Sequence, residues 1–465
     1  MAMPTGPAPS LLNETDVFDV PVIVRRHTPM TPVRRPRAGR VDRAISPWPS
    51  PGWAVPTGDY LVPTTWREVI DAAIRMGRDP SPWIHWQPQL AFAEIVARCS
   101  PFFAFLARTS ITGNTRTGFA VEPNSVFLQA TERSAQAAFG YRLGMTMADW
   151  VCRALMGLGP TTHAEAVVLA GAGPAWNDAT GLPDLTGVHP HDGRSWLIEA
   201  KGGRKVGLGA LRKGAHQVCK DDLMSAPHTR ILCGASMEHR LIVTVDLEDW
   251  TPSLPVGRSL SIEEDDQYLI DTTRSRMLIY YALAALPSGA RAALPVGPAF
   301  ARQSRRTGLL TSLVNDPATA QARSRSQRSP TDPDEMLVGQ VPNTSLYIGM
   351  SRRQFGACRA VAQAQSQFLR QNDWMASQQT RTTFLDRSES EINQQLRSRD
   401  MMYLNSTRDW PELETQARRG FITAERTSWQ DLLQTPVREI RSLPNQVVES
   451  ATEDTYLAID RSALS

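Results

Sequence analysis

Hydrophobic and polar residues alternate with a period of two between Ser195 and Lys201. Trp196, Ile198 and Ala200 fall on one side, and Leu197, Glu199 and Lys201 on the other. This pattern predicts a strand, closed by the pair Gly202 and Gly203. Pro183 to Val188 predicts a second, shorter strand, whose proline is confined to its start or to an edge. The spacer from His189 to Arg194 is rich in turn formers, so the two strands make a predicted hairpin. That hairpin carries Asp184 toward Glu199 and leaves Lys201 one pleat further along.

Elsewhere the period turns helical. Thr65 and Glu68 form a capping box ahead of Val69, Ala72, Ala73 and Met76. A second apolar segment, Leu90 to Ala107, carries Phe102, Phe103 and Phe105. Leu143, Met147, Trp150, Ala154 and Leu158 make an apolar stripe closed by Gly157 and Gly159. His163 to Gly171 then predicts the first strand of a sheet. After the hairpin, a helix over about 206–224 buries Leu208, Leu211, Ala215 and Val218, with Lys213, Gln217 and Lys220 on another stripe. Arg230 to Cys233 and Leu241 to Asp246 predict two more strands, and Thr272 to Leu286 a further helix. A last region starts with Leu346-Tyr-Ile-Gly and then reads as largely helical through Leu369 and again near Glu389 to Leu404. Thr455 to Asp460 has the character of a strand.

Composition divides the chain into five parts. Residues 1–58 are dense in Pro and Arg, including Arg34, Arg35, Arg37, Arg40 and Arg43, and predict a mostly disordered arm with an ordered patch at Val17 to Val24. Residues 59–125 form a helical region and 126–290 the module that holds the hairpin. Residues 291–344, which include Arg302, Arg305 and Arg323, read as a flexible Arg/Ser/Pro-rich linker. Residues 345–465 form a mainly helical module rich in Gln, among them Gln363, Gln365, Gln367, Gln371, Gln378, Gln379, Gln394 and Gln395. Such helices suit packing or contact with a second copy or a protein partner. A length of 465 residues accommodates about two to four domains. Net charge is only +3, so any basic footprint for a nucleic acid must be local. The 5 cysteines are scattered without CxxC spacing, which argues against a disulfide framework or a zinc site and fits a reducing compartment. No apolar run approaches the ~18 residues of a membrane span, and Met1 to Ser10 lack the basic and apolar parts of an export signal. A cytoplasmic protein with no membrane partner is expected.

Two carboxylates beside an ammonium group are a chemical device. Hard oxygen ligands suit Mg²⁺, and a nearby lysine can orient or activate a water, where arginine stays protonated. Pro183-Asp184 followed by Glu199-Ala200-Lys201 resembles the PD-(D/E)xK, or restriction-endonuclease-like, nuclease superfamily. Gly181-Leu-Pro-Asp and Glu199-Ala-Lys-Gly-Gly also resemble its virus-type replication-repair nuclease branch. Lysine usage supports chemistry here. Of 50 Lys plus Arg only 4 are lysine, namely Lys201, Lys205, Lys213 and Lys220, all in one short window that begins at the motif.

The resemblance implies an α/β fold whose core runs helix, three strands, helix, strand, flanked by mainly helical regions. It implies that Asp184, Glu199 and the Ala200 carbonyl hold Mg²⁺ or Mn²⁺, that Lys201 positions the attacking water, and that Gln217 orders that end of the site. An acidic residue from the preceding helix often joins the metal. Asp149, off the apolar stripe, is the best match, followed by Glu132 and Glu165. Lys205, Lys213 and Lys220 become candidates for contact with the phosphate backbone. DNA is the expected substrate, since the sequence shows no aromatic base-stacking platform. Trp53, Trp66, Trp83 and Trp86 read more naturally as core residues than as such a platform. His189, His191 and Asp192 fall in a turn-rich segment expected to be exposed, and are not expected to bind metal. The implied activity is DNA phosphodiester hydrolysis, in defence against foreign DNA or as an antibacterial toxin. The alternative is a binding or structural protein that kept the fold without cleaving; intact Asp184, Glu199 and Lys201 weigh against it.

Overall fold

Phe18, Val20, Val22 and Val24 alternate inward and make the first element a strand, β1 (Val17–His27). The computed structural model describes residues 17–28, 44, 46–49, 54–85, 87–113, 116–165, 182–189, 193–220, 224, 227–249, 262–296, 334–377, 410–439, 447–448 and 455–460. Strand β2 (Gly58–Thr65) leads into helix α1 (Trp66–Arg75), which the capping box of Thr65 and Glu68 opens as expected. A single turn at Ser81–Ile84 precedes α2 (Leu90–Phe105) and the hairpin β3 (Leu106–Gly113) and β4 (Arg116–Pro123). Helix α3 (Arg133–Asp149) continues into wide π-type turns over Trp150–Leu155. There follow β5 (Thr162–His163), β6 (Leu185–Val188), β7 (Ser195–Gly203), α4 (Leu208–Val218), β8 (His228–Ser236), β9 (Ile242–Glu248) and α5 (Ile262–Ala285). The C-terminal part holds β10 (Arg291–Val296), β11 (Asp334–Gln340), β12 (Leu346–Ser351), α6 (Arg352–Ser377), α7 (Trp410–Glu425), α8 (Trp429–Leu433), β13 (Arg438–Glu439), β14 (Val447–Val448) and β15 (Thr455–Asp460).

The protein is mixed α/β. One sheet of seven strands runs β2-β1-β9-β8-β7-β6-β5, and a second of six runs β13-β10-β11-β12-β15-β14. In the first, β1 pairs with β9 and β7 with β8 in parallel, while the other neighbours are antiparallel. The ordered patch expected at Val17 to Val24 is therefore an interior strand, which extends to His27. Pro21 is tolerated there because the β9 ladder starts only at Val22. Arg25 pairs with Asp59 at 2.8 Å and Arg26 with Asp249 at 2.9 Å, so these two arginines close the sheet and are not held out as a solvated tail. Arg34, Arg35, Arg37, Arg40 and Arg43 lie outside the described residues.

The C-terminal region departs from the mainly helical expectation. Its sheet takes β10 and β11 from the expected linker, and joins them to β12 and to the anticipated strand β15. Short apolar runs such as Met336-Leu337-Val338 are interior strands, buried on both faces, and show no alternation to read. Of the glutamines, Gln365 is buried on α6; Gln378, Gln379, Gln394 and Gln395 and the arginines at 302, 305 and 323 lie outside the described residues. One hydrophobic core runs from β1 through α1, α3 and α5 to Leu337, Ile348 and Phe355. A smaller one, Leu197, Val206, Leu211, Ala215, Val218, Met224 and Leu232, lies beneath α4 on the other face of the first sheet. Among the described residues no helix is long and apolar enough to cross a membrane.

A buried ionic hub ties the helical layer together. Asp71 of α1 accepts from Arg75 at 3.0 Å, from Arg153 at 3.2 Å and from Arg276 of α5 at 3.0 Å. Burial alone would raise the Asp71 carboxyl, but Arg276, Arg153 and Arg67 outweigh it and hold the carboxyl below its ordinary value. Removing one member of such a buried set strands the charges left behind. Asp71→Ala is expected to lower unfolding free energy by about 3–5 kcal/mol, read from the denaturant midpoint at constant slope. An unchanged midpoint would show that the hub is dispensable.

Candidate active site

The hairpin of β6 and β7 sets the site. Leu185 lies opposite Ile198 and Val188 opposite Ser195, a register that puts Asp184, one residue before the ladder, opposite Glu199. The turn closes through His189 N–H to the Arg194 carbonyl at 2.8 Å, and Gly193 takes the left-handed conformation the bend requires, with φ of +68°. Past the end of β6 the Ala200 amide has no ladder partner, and the Asp184 carboxylate supplies one, Oδ2 accepting it at 2.8 Å. In an extended strand the N–H and C=O of one residue face the same edge. The Ala200 carbonyl therefore faces the side on which Asp184 sits.

Lys201 and Glu199 share the other face of β7 with the small core beneath α4. Lys201 Nζ donates to the Glu199 carboxylate and, at 3.1 Å, to Gln217 Oε1 on α4. Gly214 lets α4 come this close: a Cβ there would stand 3.1 Å from Lys201 Cε and 3.2 Å from Glu199 Cγ. Asp184, Glu199, Ala200, Lys201 and Gln217 are thus brought together. Behind them α3 meets the strand end backbone to backbone. A Cβ on Gly144 would stand 2.7 Å from Gly202 N, and one on Gly140 2.8 Å from Gly203 Cα.

Glu199 is 1% exposed, and its Oε2 has no hydrogen-bond partner among the described residues. Burial raises its carboxyl to about 7, with the Asp184 charge adding to the rise and Lys201 opposing it. Asp184 is also raised, by burial, against the Ala200 amide, Lys201 and His163. Two carboxylates that repel each other in a dry site, one with an orphaned oxygen, fit a hard divalent cation. Asp184, Glu199 and the Ala200 carbonyl would give three oxygen donors. No group of three or more His, Cys, Asp or Glu gathers anywhere among the described residues. A cation here would therefore complete its shell with water and substrate oxygens, as Mg²⁺ does.

The upstream carboxylate differs from expectation. Asp149 is 1% exposed, and its oxygens accept from Thr161 at 2.6 Å and from Arg153 at 3.2 Å. Helix α3 is covered on several sides, so a residue off the apolar stripe is still interior, and Asp149 joins the Asp71 hub through Arg153 instead of the Asp184–Glu199 pair. The geometry does not support Asp149 as a metal ligand. Glu132 is exposed just before α3. Glu165 pairs with Arg78, and both charges act on His163 and Tyr141, as does Asp184. Only His163, with Thr162, belongs to β5, and residues 166–171 of the expected strand lie outside the described residues.

Lys205 pairs with Glu238 at 3.0 Å on the surface, Lys213 is exposed on α4, and Lys220 is half-buried. His189, expected to be exposed, is buried with its ring 6.2 Å from that of Trp196; His191 and Asp192 lie outside the described residues. Trp66 is core, as expected, whereas Trp53, Trp86 and the side chain of Trp83 are not described. Tyr141 was not anticipated. It is 51% exposed next to the Gly140 contact, and a lone tyrosine on a helix carries no sequence signal for such a position.

The raised Glu199 carboxyl gives a pH signature. A carboxyl that holds its proton more tightly folded than unfolded loses stability as pH rises from its ordinary value of 4.5 to about 7. Wild type should therefore lose thermal stability over that window more steeply than Glu199→Gln, whose amide does not titrate. Parallel pH profiles of the two melting midpoints would contradict the assignment.

The chain matches no protein-family model, no curated protein and no solved structure.

Proposed function

We propose that this protein is a metal-dependent nuclease that hydrolyses DNA phosphodiester bonds. The observation that carries the reading is that Asp184 is fixed on the Ala200 amide while Glu199 and Gln217 meet at the Lys201 ammonium, with Glu199 Oε2 buried and unsatisfied. A scaffold gains little from keeping two raised carboxylates together, whereas a cation site gains its affinity from them. The chain order of α3, β5, β6, β7, α4 and β8 supports a restriction-endonuclease-like core, the finer fold that the motif implies.

In this reading Asp184, Glu199 and the Ala200 carbonyl hold one Mg²⁺ or Mn²⁺. When bound, the ion neutralises charge on the phosphate and makes a coordinated water more acidic. Asp184 keeps its position through the Ala200 amide, so the carboxylate is oriented before any cation arrives. Lys201 spends two N–H groups on Glu199 and Gln217, and its third is left to orient the water that attacks phosphorus. Gln217 tethers the ammonium to α4 at 3.1 Å while it stays bonded to Glu199. Hydrolysis joins the water oxygen to phosphorus, with the water's proton released to solvent, and breaks the bond to the leaving sugar oxygen, which takes up a proton from solvent. Lys213, exposed on the same helix as Gln217, is placed to meet a flanking phosphate.

Purified protein is expected to cut circular and linear DNA with Mg²⁺ or Mn²⁺ and not with EDTA. Asp184→Ala and Lys201→Ala should each lower the rate by about 100-fold or more. Mg²⁺ should also raise the melting midpoint of wild type but not of Asp184→Ala, which reads the cation site without activity. Cleavage untouched by both substitutions would remove the site assignment. Metal-independent melting together with retained DNA binding would favour a non-cleaving binding protein.

A further inference from the structure

A cleft of about 580 Å³ is bounded by the end of α1, the segment after it, α2 and α3. Its volume falls in the range of pockets that enclose a small organic ligand, roughly 300–1,000 Å³. Met76, Ala138 and Met145 give it an apolar wall, and Tyr141, Arg78 and Arg142 stand along it. Tyr141 is anchored where it is needed. It sits between Gly140 and Gly144, whose contact with Gly202 fixes that turn of α3 against the strand end carrying Lys201. After burial, the charges of Asp184, Arg78, Glu199 and Glu165 act on the Tyr141 hydroxyl, so the ring stands within the field of the site.

Arg78 is held at its backbone as well as by its side chain, which pairs with Glu165. Arg98, itself buried, donates to the Ile74 carbonyl at 2.8 Å and to the Arg78 carbonyl at 2.9 Å. Gly77, with φ of +117°, bends the chain back to allow this. The Arg78 guanidinium is 62% exposed and its partner Glu165 39% exposed. Such a surface pair contributes little net stability, so an incoming phosphate can take the place of Glu165. The cleft's other carboxylates have their own partners: Glu94 lies 2.7 Å from Arg98 and Asp79 lies 3.7 Å from Arg274.

An exposed aromatic ring, an apolar wall and one exchangeable guanidinium are the parts of a nucleotide subsite. We propose that the cleft receives one unpaired nucleotide of the substrate strand, its base against the Tyr141 ring and its phosphate on Arg78. This rests on the nuclease reading and narrows its substrate: a base inside a duplex cannot enter such a cleft without leaving its stack. The substrate at the site is therefore single-stranded DNA or a frayed end. Stacking on a ring tolerates any base, so the subsite confers strand preference and not sequence preference.

The test is binding in EDTA, where no cleavage occurs. Fluorescence anisotropy would follow full-length protein with a labelled single strand of about ten nucleotides and with the matching duplex. Wild type should prefer the single strand. Tyr141→Leu, which keeps an apolar side chain without the ring, should bind the single strand about tenfold more weakly, and Arg78→Ala likewise. Tyr141→Phe should stay within about twofold of wild type, because the ring and not the hydroxyl stacks. Equal melting midpoints would show that the variants are folded, and Arg142→Ala would serve as a second cleft variant if Tyr141→Leu were not. Unchanged binding in both Tyr141→Leu and Arg78→Ala, or no preference for the single strand, would overturn the subsite. If the wild type proves unable to cleave while Tyr141→Leu still weakens binding, the nuclease reading falls and the nucleotide subsite stands. Metal-dependent cleavage with unaltered binding in both variants would have the reverse meaning.

Discussion

Helix α3 lies on the end of β7 with no side chain between them. Gly140 and Gly144 present bare backbone to Gly202, and no other residue type could close that gap without moving helix or strand. Much of the molecule follows from this contact. It sets the depth of α3 against the seven-stranded sheet and fixes the strand end from which Lys201 projects. It also turns Tyr141 outward at the rim. The same depth carries the far end of α3 into the interior, where Asp149 meets Thr161 and Arg153.

Two buried acidic centres therefore lie on opposite sides of one sheet system, and their chemistry diverges. Around Asp71 three guanidinium groups converge, and the carboxyl is held below its ordinary value. Around Glu199 stand a second carboxylate and one ammonium, and the carboxyl rises to about 7. The first centre is electrically complete and acts as a rivet between helices. The second is short of positive charge. The contrast does not come from burial, since both are interior, but from the number of cations within reach.

Much of the active strand pair was legible from residue pattern. Period-two alternation placed Glu199 and Lys201 on one face and the turn formers of residues 189–194 joined the strands, whereas Gln217 was expected near Lys201 only through the family resemblance. The rest depended on facts that pattern does not carry. Asp149 sat off an apolar stripe and still proved interior, because α3 is covered by α1 as well as by the sheet. His189 occupied a turn-rich segment yet packs against Trp196. Apart from β15, the second sheet went unread because its strands are short and drawn from segments separated by long polar stretches. Tyr141 was silent for the opposite reason: its importance lies in which backbone it stands beside, and only the three-dimensional contact of Gly140 with Gly202 and Gly203 reveals that.

The parallel pairing of β1 with β9 imposes an order on how the molecule comes into being. Arg26 and Asp249, which meet across that junction, are 223 positions apart. Closing so long a loop costs entropy before any contact repays it, and such pairings slow folding. During synthesis the edge of β1 from Val22 to His27 must wait unpaired until the chain through Glu248 has left the ribosome. By then β6, β7 and α4 have all been made. The strand pair bearing Asp184, Glu199 and Lys201 is thus synthesised before the sheet that supports it can close, and the pairings of β9, with β8 and with β1, are the last that sheet can make.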